Sequence, residues 1–485
     1  MMTLVLRACA VLLLLASPAQ AAWYRTEGKA FILYGQGSAR QVAMAGAQLA
    51  AFDALLRQLT GAKVDTVRAR VSIYIVTDAR DFERLRGRGG PAFDGFYTAT
   101  PNIIAAFVDS SDKSHAARAQ SVLFHEYAHH FLFAHQPGSY PAWYIEGLAS
   151  YWETARFSNG KARYGDYDAN RAQIMMLGNW MPMARVLGAD WTTLPGYETP
   201  LFYAQSWLAV HYFASDPARA AALAHYLALV AAQVPVPDAF VQAFGYPIDR
   251  LDKILIDHVM ARAVAPREIA FAVDGASAPV FEVEAAADAL LMPAAMLDIG
   301  VDAGRAAGLL ERIRAIAARY PDDRTAQIVL ATAEIRLAAS PQDRTQGRAL
   351  VESLRAVSPD NVPLLVLDGT AQLLDHQAAQ ATLARADALR PDDYRILFLL
   401  ALAQPQGADA TRLALLMRAN ALAPQVEAVA LAAARAQVEA GDFATARALL
   451  APVANNPHGG GAADQARAWL AQLPGEAADG TPKSK

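Results

Sequence analysis

The chain contains 485 residues, which is long enough for several domains, and its 54% apolar and 19% charged residues exclude a disordered chain. Its 43 basic and 47 acidic residues give a formal net charge of −4, which argues against nucleic acid as a partner because phosphate contacts need a basic surface. A single cysteine excludes both a disulfide framework and a cysteine-ligated zinc site.

Residues 1–21 are predicted to be a secretory signal peptide. Arg7 supplies the positive charge, the apolar run 8–16 is too short to span a bilayer, and residues 19–21 (Ala-Gln-Ala) form a small-x-small cleavage site. We therefore expect a bacterial protein that starts near Ala22 and is exported to the periplasm or the medium, without a further membrane span. An uncleaved membrane anchor is the alternative interpretation.

The first part of the mature chain, residues 22–264, mixes strand and helix patterns. Short β-branched or aromatic runs predict strands, and apolar residues at helical spacing predict helices. The predicted strands cover residues 30–34, 71–76 and 102–108, and the predicted helices cover residues 41–59 and 116–134. From there to about residue 262 the pattern is mainly helical, so we expect an α+β domain with a small mixed sheet followed by helices.

Residues 281–474 are alanine-rich and helical, and regularly spaced prolines divide them. The prolines stand at intervals of 38, 32, 33 and 33 residues: Pro321, Pro359, Pro391, Pro424 and Pro457. A period near 34 is typical of tetratricopeptide repeat (TPR) helix pairs, and an irregular alanine-rich bundle is the alternative. Several prolines precede Asp or Asn residues that can cap the next helix. We expect residues 265–280 to be a linker and the polar residues 475–485 to be a disordered tail.

The sequence His125-Glu126-Tyr127-Ala128-His129 is an HExxH motif. On a helix, residues four apart share one face, so His125 and His129 can hold one zinc ion through two imidazole nitrogens. Glu126 is then beside the ion, where it can accept a proton from a water molecule. Glu146 follows a turn and opens a second helix, where it can supply a third ligand that leaves one position for water.

The HExxH motif and residues 143–153 (WYIEGLASYWE), which fit the pattern WxxEGxAxYxE, resemble the gluzincin metallopeptidases, in particular the aminopeptidase-type branch and the bacterial peptidase MA-like domains. The resemblance implies a thermolysin-like zincin fold, one zinc ion with Glu146 as third ligand, and a protein or peptide substrate. It also indicates that Glu153, the last residue of the second motif, supports a zinc-binding histidine. A surface or structural role for Glu153 is the alternative.

Residues 202–210 resemble the helix of the same branch that carries a tyrosine near the zinc ion. By this resemblance, the hydroxyl of Tyr203 donates a hydrogen bond to the oxyanion that develops during hydrolysis. A plain core tyrosine is the alternative, and Tyr197 and Tyr212 are neighbouring candidates for the role.

The sequence also departs from these families in ways that bear on the substrate. It lacks the upstream GxMEN segment whose glutamate holds a free amino terminus, so we expect an endopeptidase. The position at which thermolysin-like members carry a supporting aspartate is Ser150. We further expect an extended peptide to pair with an edge strand near residues 102–108.

The predicted function is that of a secreted zinc-dependent endopeptidase whose TPR-like region binds the substrate or a partner protein. Two alternatives stay open: an adaptor or scaffold with a degenerate or structural zinc domain, and an amidase that acts on cell-wall peptide. Against a purely structural site, Glu126 is retained and no cysteine is left to complete a closed set of ligands.

Overall fold

The computed structural model describes residues 22–64, 68–87, 94–112, 116–167, 169–177, 180–188, 193–272 and 278–474. The predicted signal peptide and the predicted tail lie outside these residues. None of the described helices is both long and apolar enough to cross a membrane.

Nine strands form two sheets in the described part of the chain. They are β1 (Trp23–Glu27), β2 (Phe31–Gln36), β3 (Val71–Val76), β4 (Gly95–Ala99), β5 (Ile104–Asp109), β6 (Arg156–Ser158), β7 (Lys161–Tyr164), β8 (Arg267–Ala270) and β9 (Val280–Glu282). The larger sheet has the order β4-β5-β3-β2-β1-β9, in which β2, β3 and β5 are parallel and the other pairings are antiparallel. The smaller sheet is antiparallel with the order β6-β7-β8.

Helices fill the rest of the fold. The helices up to the predicted linker are α1 (Ala39–Thr60), α2 (Ala79–Arg86), α3 (Ala116–His135), α4 (Ala142–Trp152), α5 (Ala169–Leu177), α6 (Met183–Gly188), α7 (Thr199–Ala214), α8 (Pro217–Ala231), α9 (Val236–Phe244) and α10 (Asp249–Met260). The later helices are α11 (Ala285–Ile299), α12 (Ala303–Ala317), α13 (Arg324–Arg336), α14 (Thr345–Val357), α15 (Val362–Leu374), α16 (Gln380–Leu389), α17 (Tyr394–Leu402), α18 (Asp409–Leu422), α19 (Glu427–Glu439), α20 (Phe443–Ala454) and α21 (Gly460–Gln472).

The larger sheet lies between two layers of helices. Alternate residues of a strand point to opposite faces, so each strand serves two cores. On β3, Val71 and Ile73 join the core that includes α1 and α3, whereas Tyr74 and Val76 join a second core. The second core is completed by α2 and by the first later helices, α11 to α13.

The edge of this sheet differs from the prediction. The strand expected near residues 102–108 is β5, but it lies between β3 and β4, so β4 is the edge. Thr100 gives the physical reason: its amide donates to Ile103 O and its hydroxyl accepts from the Ile103 amide, which turns the chain into a hairpin. The edge strand that lies against α3 is therefore β4.

Residues 265–280 were expected to be a linker, yet their described part contributes strands to both sheets. β8 pairs with β7, and β9, which begins at Val280, pairs with β1. Trp23 N also donates to Asp288 Oδ2 on α11 at 2.7 Å. The first helices of the predicted solenoid thus pack on the larger sheet. The second face of this sheet is apolar, and the helices bury it.

Beyond the sheet, the helices pack mainly against their neighbours in sequence, as in a helical repeat array. All five prolines that set the predicted period lie in turns between helices. Asp323, Asn361 and Asp393 cap α13, α15 and α17 through their side chains, as expected of such turns. The later part of the chain is a TPR-like helical region.

Candidate metal centre

The HExxH motif lies on α3, which is buried against α1 and the sheet. Tyr127, in the middle of the motif, is fully buried and donates to Asp53 Oδ1 at 2.7 Å. Asp53 Oδ2 accepts from Arg57 Nε at 2.8 Å, so the polar groups under the helix are hydrogen-bonded. This packing fixes the rotation of α3 and turns His125 and His129 towards α4.

Glu146 on α4 meets both histidines. Its Oε2 lies 3.3 Å from His125 Nε2 and 3.6 Å from His129 Nε2. Helix α4 sits this deep because Gly147 packs on the backbone of α7, where a Cβ at residue 147 would lie 2.5 Å from Ser206 O. The three predicted ligands thus come together, with their ligand atoms within 4.8 Å of one another.

The distances from Glu146 to the two histidines are compatible with a tetrahedral zinc ion. With bonds of about 2.0–2.1 Å, tetrahedral ligand atoms are separated by about 3.3 Å, which is close to the distances from Glu146 Oε2. His129 is buried, and neither of its ring nitrogens makes a hydrogen bond to a described residue. A bound cation can satisfy buried ring nitrogens that have no such hydrogen bond.

Charges in the site are strongly coupled. Burial opposes the ionisation of Glu146, but the imidazoles of His129, His458 and His125 hold its pKa well below the usual range. Burial also opposes protonation of His125, yet hydrogen bonds to Glu146 and Glu153 raise its pKa to about 10. A metal ion at His125 Nε2 would take the place of this proton.

Glu153 contacts the other nitrogen of His125. Its Oε2 lies 2.7 Å from His125 Nδ1, which donates because a carboxylate only accepts. Burial alone would raise the pKa of Glu153, but Arg171 on α5, which donates to Oε1 at 2.6 Å, and His125 lower it. This is the arrangement of a carboxylate that sets the tautomer and orientation of a metal-binding histidine.

We expect Glu153→Ala to weaken zinc binding by about 10- to 100-fold, because His125 loses the acceptor that orients it. Competition with a chromogenic chelator measures the zinc affinity. Ser150→Ala on α4 is the control: the Ser150 hydroxyl is buried without a hydrogen-bond partner among the described residues, so its removal should leave zinc affinity unchanged. Equal zinc affinities for Glu153→Ala and the wild-type protein would refute the supporting role.

Glu126 lies in the same pocket as the three ligands. Burial raises its pKa to about 7; His125 and His458 lower it, and the carboxylates of Glu146 and Glu153 raise it. A carboxylate with such a pKa is suited to accept and return a proton near neutral pH.

The ring of Tyr203 on α7 lies near the site, with its centroid 6.3 Å from that of His125. Burial raises the pKa of Tyr203 well above its usual value, so its hydroxyl keeps its proton and can donate. Of the neighbouring candidates, Tyr197 is 76% exposed, and the Tyr212 ring packs under the guanidinium of Arg219 at 4.0 Å.

Two residues of the site were missed by the sequence interpretation. One is Arg171, which holds Glu153. The other is His458, in the turn between α20 and α21, whose Nε2 lies 2.7 Å from Glu146 Oε1 and whose ring centroid is 4.9 Å from that of His129. The available signal for His458 was its turn, whose sequence Asn-Pro-His-Gly-Gly-Gly differs from the Pro-Asp turns at Pro321, Pro359 and Pro391.

No protein-family model matches the sequence, and no curated protein matches it. Solved structures do show likenesses. A thermophilic TPR protein of Thermus thermophilus, TTC0263, is 19% identical, covers 39% of this chain and 98% of its own, and has a TM-score of 0.32. A mutant of MamA is 20% identical, covers 32% of this chain and 87% of its own, and has a TM-score of 0.24. At these identities and TM-scores, the likenesses carry no inference about function.

Proposed function

We propose that the chain is an exported zinc-dependent hydrolase of peptide bonds, with endopeptidase action. The observation that carries the proposal is the convergence of His125, His129 and Glu146 beside Glu126, whose raised pKa suits a base. When bound, zinc would polarise the scissile carbonyl and lower the pKa of a water molecule.

The side chains of the site would each have a distinct role in the hydrolysis. The three ligands hold the ion, and Glu153 orients His125. Glu126 accepts a proton from the attacking water and passes it to the leaving amine. The Tyr203 hydroxyl donates to the carbonyl oxygen as negative charge develops there.

The position of β4 supports an extended peptide as the substrate. This strand is the edge of the larger sheet and lies against α3. At Gly95, the first residue of β4, a Cβ would lie 3.3 Å from Glu126 Cγ, so the strand begins beside the proposed base. Main-chain pairing along such an edge would present a peptide bond to the site.

A second candidate function is that of an adaptor. Helical repeat arrays present extended surfaces to partner proteins, and the TPR-like region supports this role. The contact of His458 with Glu146 also supports the adaptor role, because His458 covers the candidate metal centre.

Metal content and cleavage assays separate the two functions. The hydrolase proposal expects one zinc ion per chain by mass spectrometry, loss of zinc in His129→Ala, and retention of zinc in His225→Ala, which changes an exposed histidine on α8. Casein and a peptide library test proteolysis, and muropeptides test an amidase. A chain that binds zinc and cleaves none of these substrates would favour the adaptor, and a chain that cannot be loaded with zinc would overturn the hydrolase.

A further inference from the structure

The turn at residues 455–459, between α20 and α21, reaches from the last repeat to the candidate metal centre. Glu146, His129 and Glu126 below it are 0%, 1% and 8% exposed, whereas the side chain of His458 is 31% exposed. His458 therefore lies at the mouth of the site, between solvent and the ligand Glu146. Its Nε2 faces Glu146 Oε1, while Oε2 of the same carboxylate faces the two motif histidines.

Side chains on both flanks hold the turn in this position. Asn455 Nδ2 donates to Ser139 Oγ in the connection between α3 and α4. Asn456 Nδ2 donates to Glu427 Oε1 at 2.5 Å, and Asn456 Oδ1 accepts from the His458 amide at 3.0 Å. The turn also approaches α19 closely, since a Cβ at residue 459 would lie 2.7 Å from Glu427 Oε1.

The repeats before the turn dock on the same part of the molecule. The Tyr394 hydroxyl donates to Thr100 O at 3.3 Å, and the Ala69 amide donates to Leu422 O at 3.3 Å. Leu422 and Val426 belong to the same buried apolar cluster as the inward face of α3. The turn is thus the end of a continuous interface, which places His458 reproducibly.

We propose that residues 455–459 form an inhibitory latch: His458 closes the candidate metal centre, and a substrate reaches it only when the turn withdraws. This inference rests on the proposed function and deepens it by naming a regulation of the same site. The described contacts of His458 with Glu146 and His129 are non-covalent, and its ring is partly exposed. The three glycines that follow His458 give the backbone the conformational freedom of a hinge, and Gly460 already has a φ of +47°.

The variant His458→Ala opens the mouth and leaves the three ligands unchanged. We expect bound zinc to pass to an added chelator roughly 10-fold faster than in the wild-type protein. A roughly 10-fold change is the order of magnitude expected when one charge-assisted hydrogen bond, here that between His458 and Glu146, is lost. Cleavage of a peptide library should rise as well. His225→Ala is the matched control and should transfer zinc at the wild-type rate.

A reversible cross-link provides the opposite test, because it holds the turn in the closed position. Ser139 and Asn455 are in side-chain contact, so we choose the pair Ser139→Cys and Asn455→Cys, in a chain without Cys9, to introduce a disulfide. Oxidation with diamide should slow zinc transfer and block cleavage, and reduction with a phosphine should reverse both effects. Thiol titration reports whether the bond has formed.

The outcomes separate the latch from the hydrolase. Zinc transfer at one rate in the wild-type, His458→Ala, oxidised and reduced proteins would overturn the latch. Slow transfer in the oxidised form and fast transfer in His458→Ala would support it, even if no form cleaved a peptide, and in that case the proposed hydrolase would fall. A chain that bound zinc in none of these forms would overturn both.

Discussion

Replacing Glu126 by glutamine is expected to lower peptide hydrolysis by about 10³-fold while zinc stays bound, because glutamine keeps the shape of the side chain but cannot accept a proton. The carboxylate is buried, and burial already disfavours its charge, so the neutral amide should not reduce the stability of the fold. The measurements are kcat/KM for a peptide substrate, zinc content by mass spectrometry and a thermal melt, each made also in the His458→Ala background.

The same chemical change at Glu311, which is exposed on α12, serves as the control. Glu311→Gln should match the wild-type protein in activity, zinc content and melting. A Glu126→Gln protein that cleaved as fast as wild type would remove Glu126 from the proposed chemistry. A Glu126→Gln protein without zinc would instead mean that the carboxylate helps to hold the metal.

Gly147→Ala is expected to destabilise the protein by roughly 3 kcal/mol or more, at the upper end of the cost of overpacking a core. The added Cβ would lie 2.5 Å from Ser206 O and 2.8 Å from Ser206 C, which are backbone atoms of α7 and cannot move aside as a flexible side chain can. Helices α4 and α7 would have to separate, and Glu146, the neighbouring residue, would move with α4. We therefore expect both a lower melting temperature by circular dichroism and weaker zinc binding.

Gly308→Ala is the matched control for that substitution. Gly308 is exposed on α12 and a Cβ there would meet no atom within 4 Å, so alanine should stabilise the helix by about 0.5–1 kcal/mol. The two variants thus differ in the sign of their effect. A Gly147→Ala protein as stable as Gly308→Ala would show that α4 does not depend on this close approach.

The parts of the site that lie close together in sequence were accessible to prediction. His125 and His129 are one helical turn apart, and the pattern around Glu146 is local to one helix. The repeat turns were equally accessible, since Asp323 and Asn361 cap helices within a few residues of their prolines.

The contacts that depend on tertiary packing could not be predicted from the sequence. Arg171 reaches Glu153 across a gap of 18 residues, and His458 lies more than 300 residues from Glu146. No spacing rule connects such pairs, because the meeting of two helices far apart in sequence is decided by packing. The edge position of β4 was missed for a related reason, since the hairpin depends on hydrogen bonds of a single residue, Thr100.

The long-range contacts also determine which parts of the fold can form while the chain is still being synthesised. Trp23 N meets Asp288, 265 residues later, and the bond between Ser139 and Asn455 spans 316 residues. Contacts of this kind form slowly, since chain entropy is lost before they contribute. On the ribosome, the segment that carries the three candidate metal ligands emerges long before residue 458. The nascent protein would therefore pass through a stage in which the candidate metal ligands have been synthesised and His458, which covers them in the folded chain, has not.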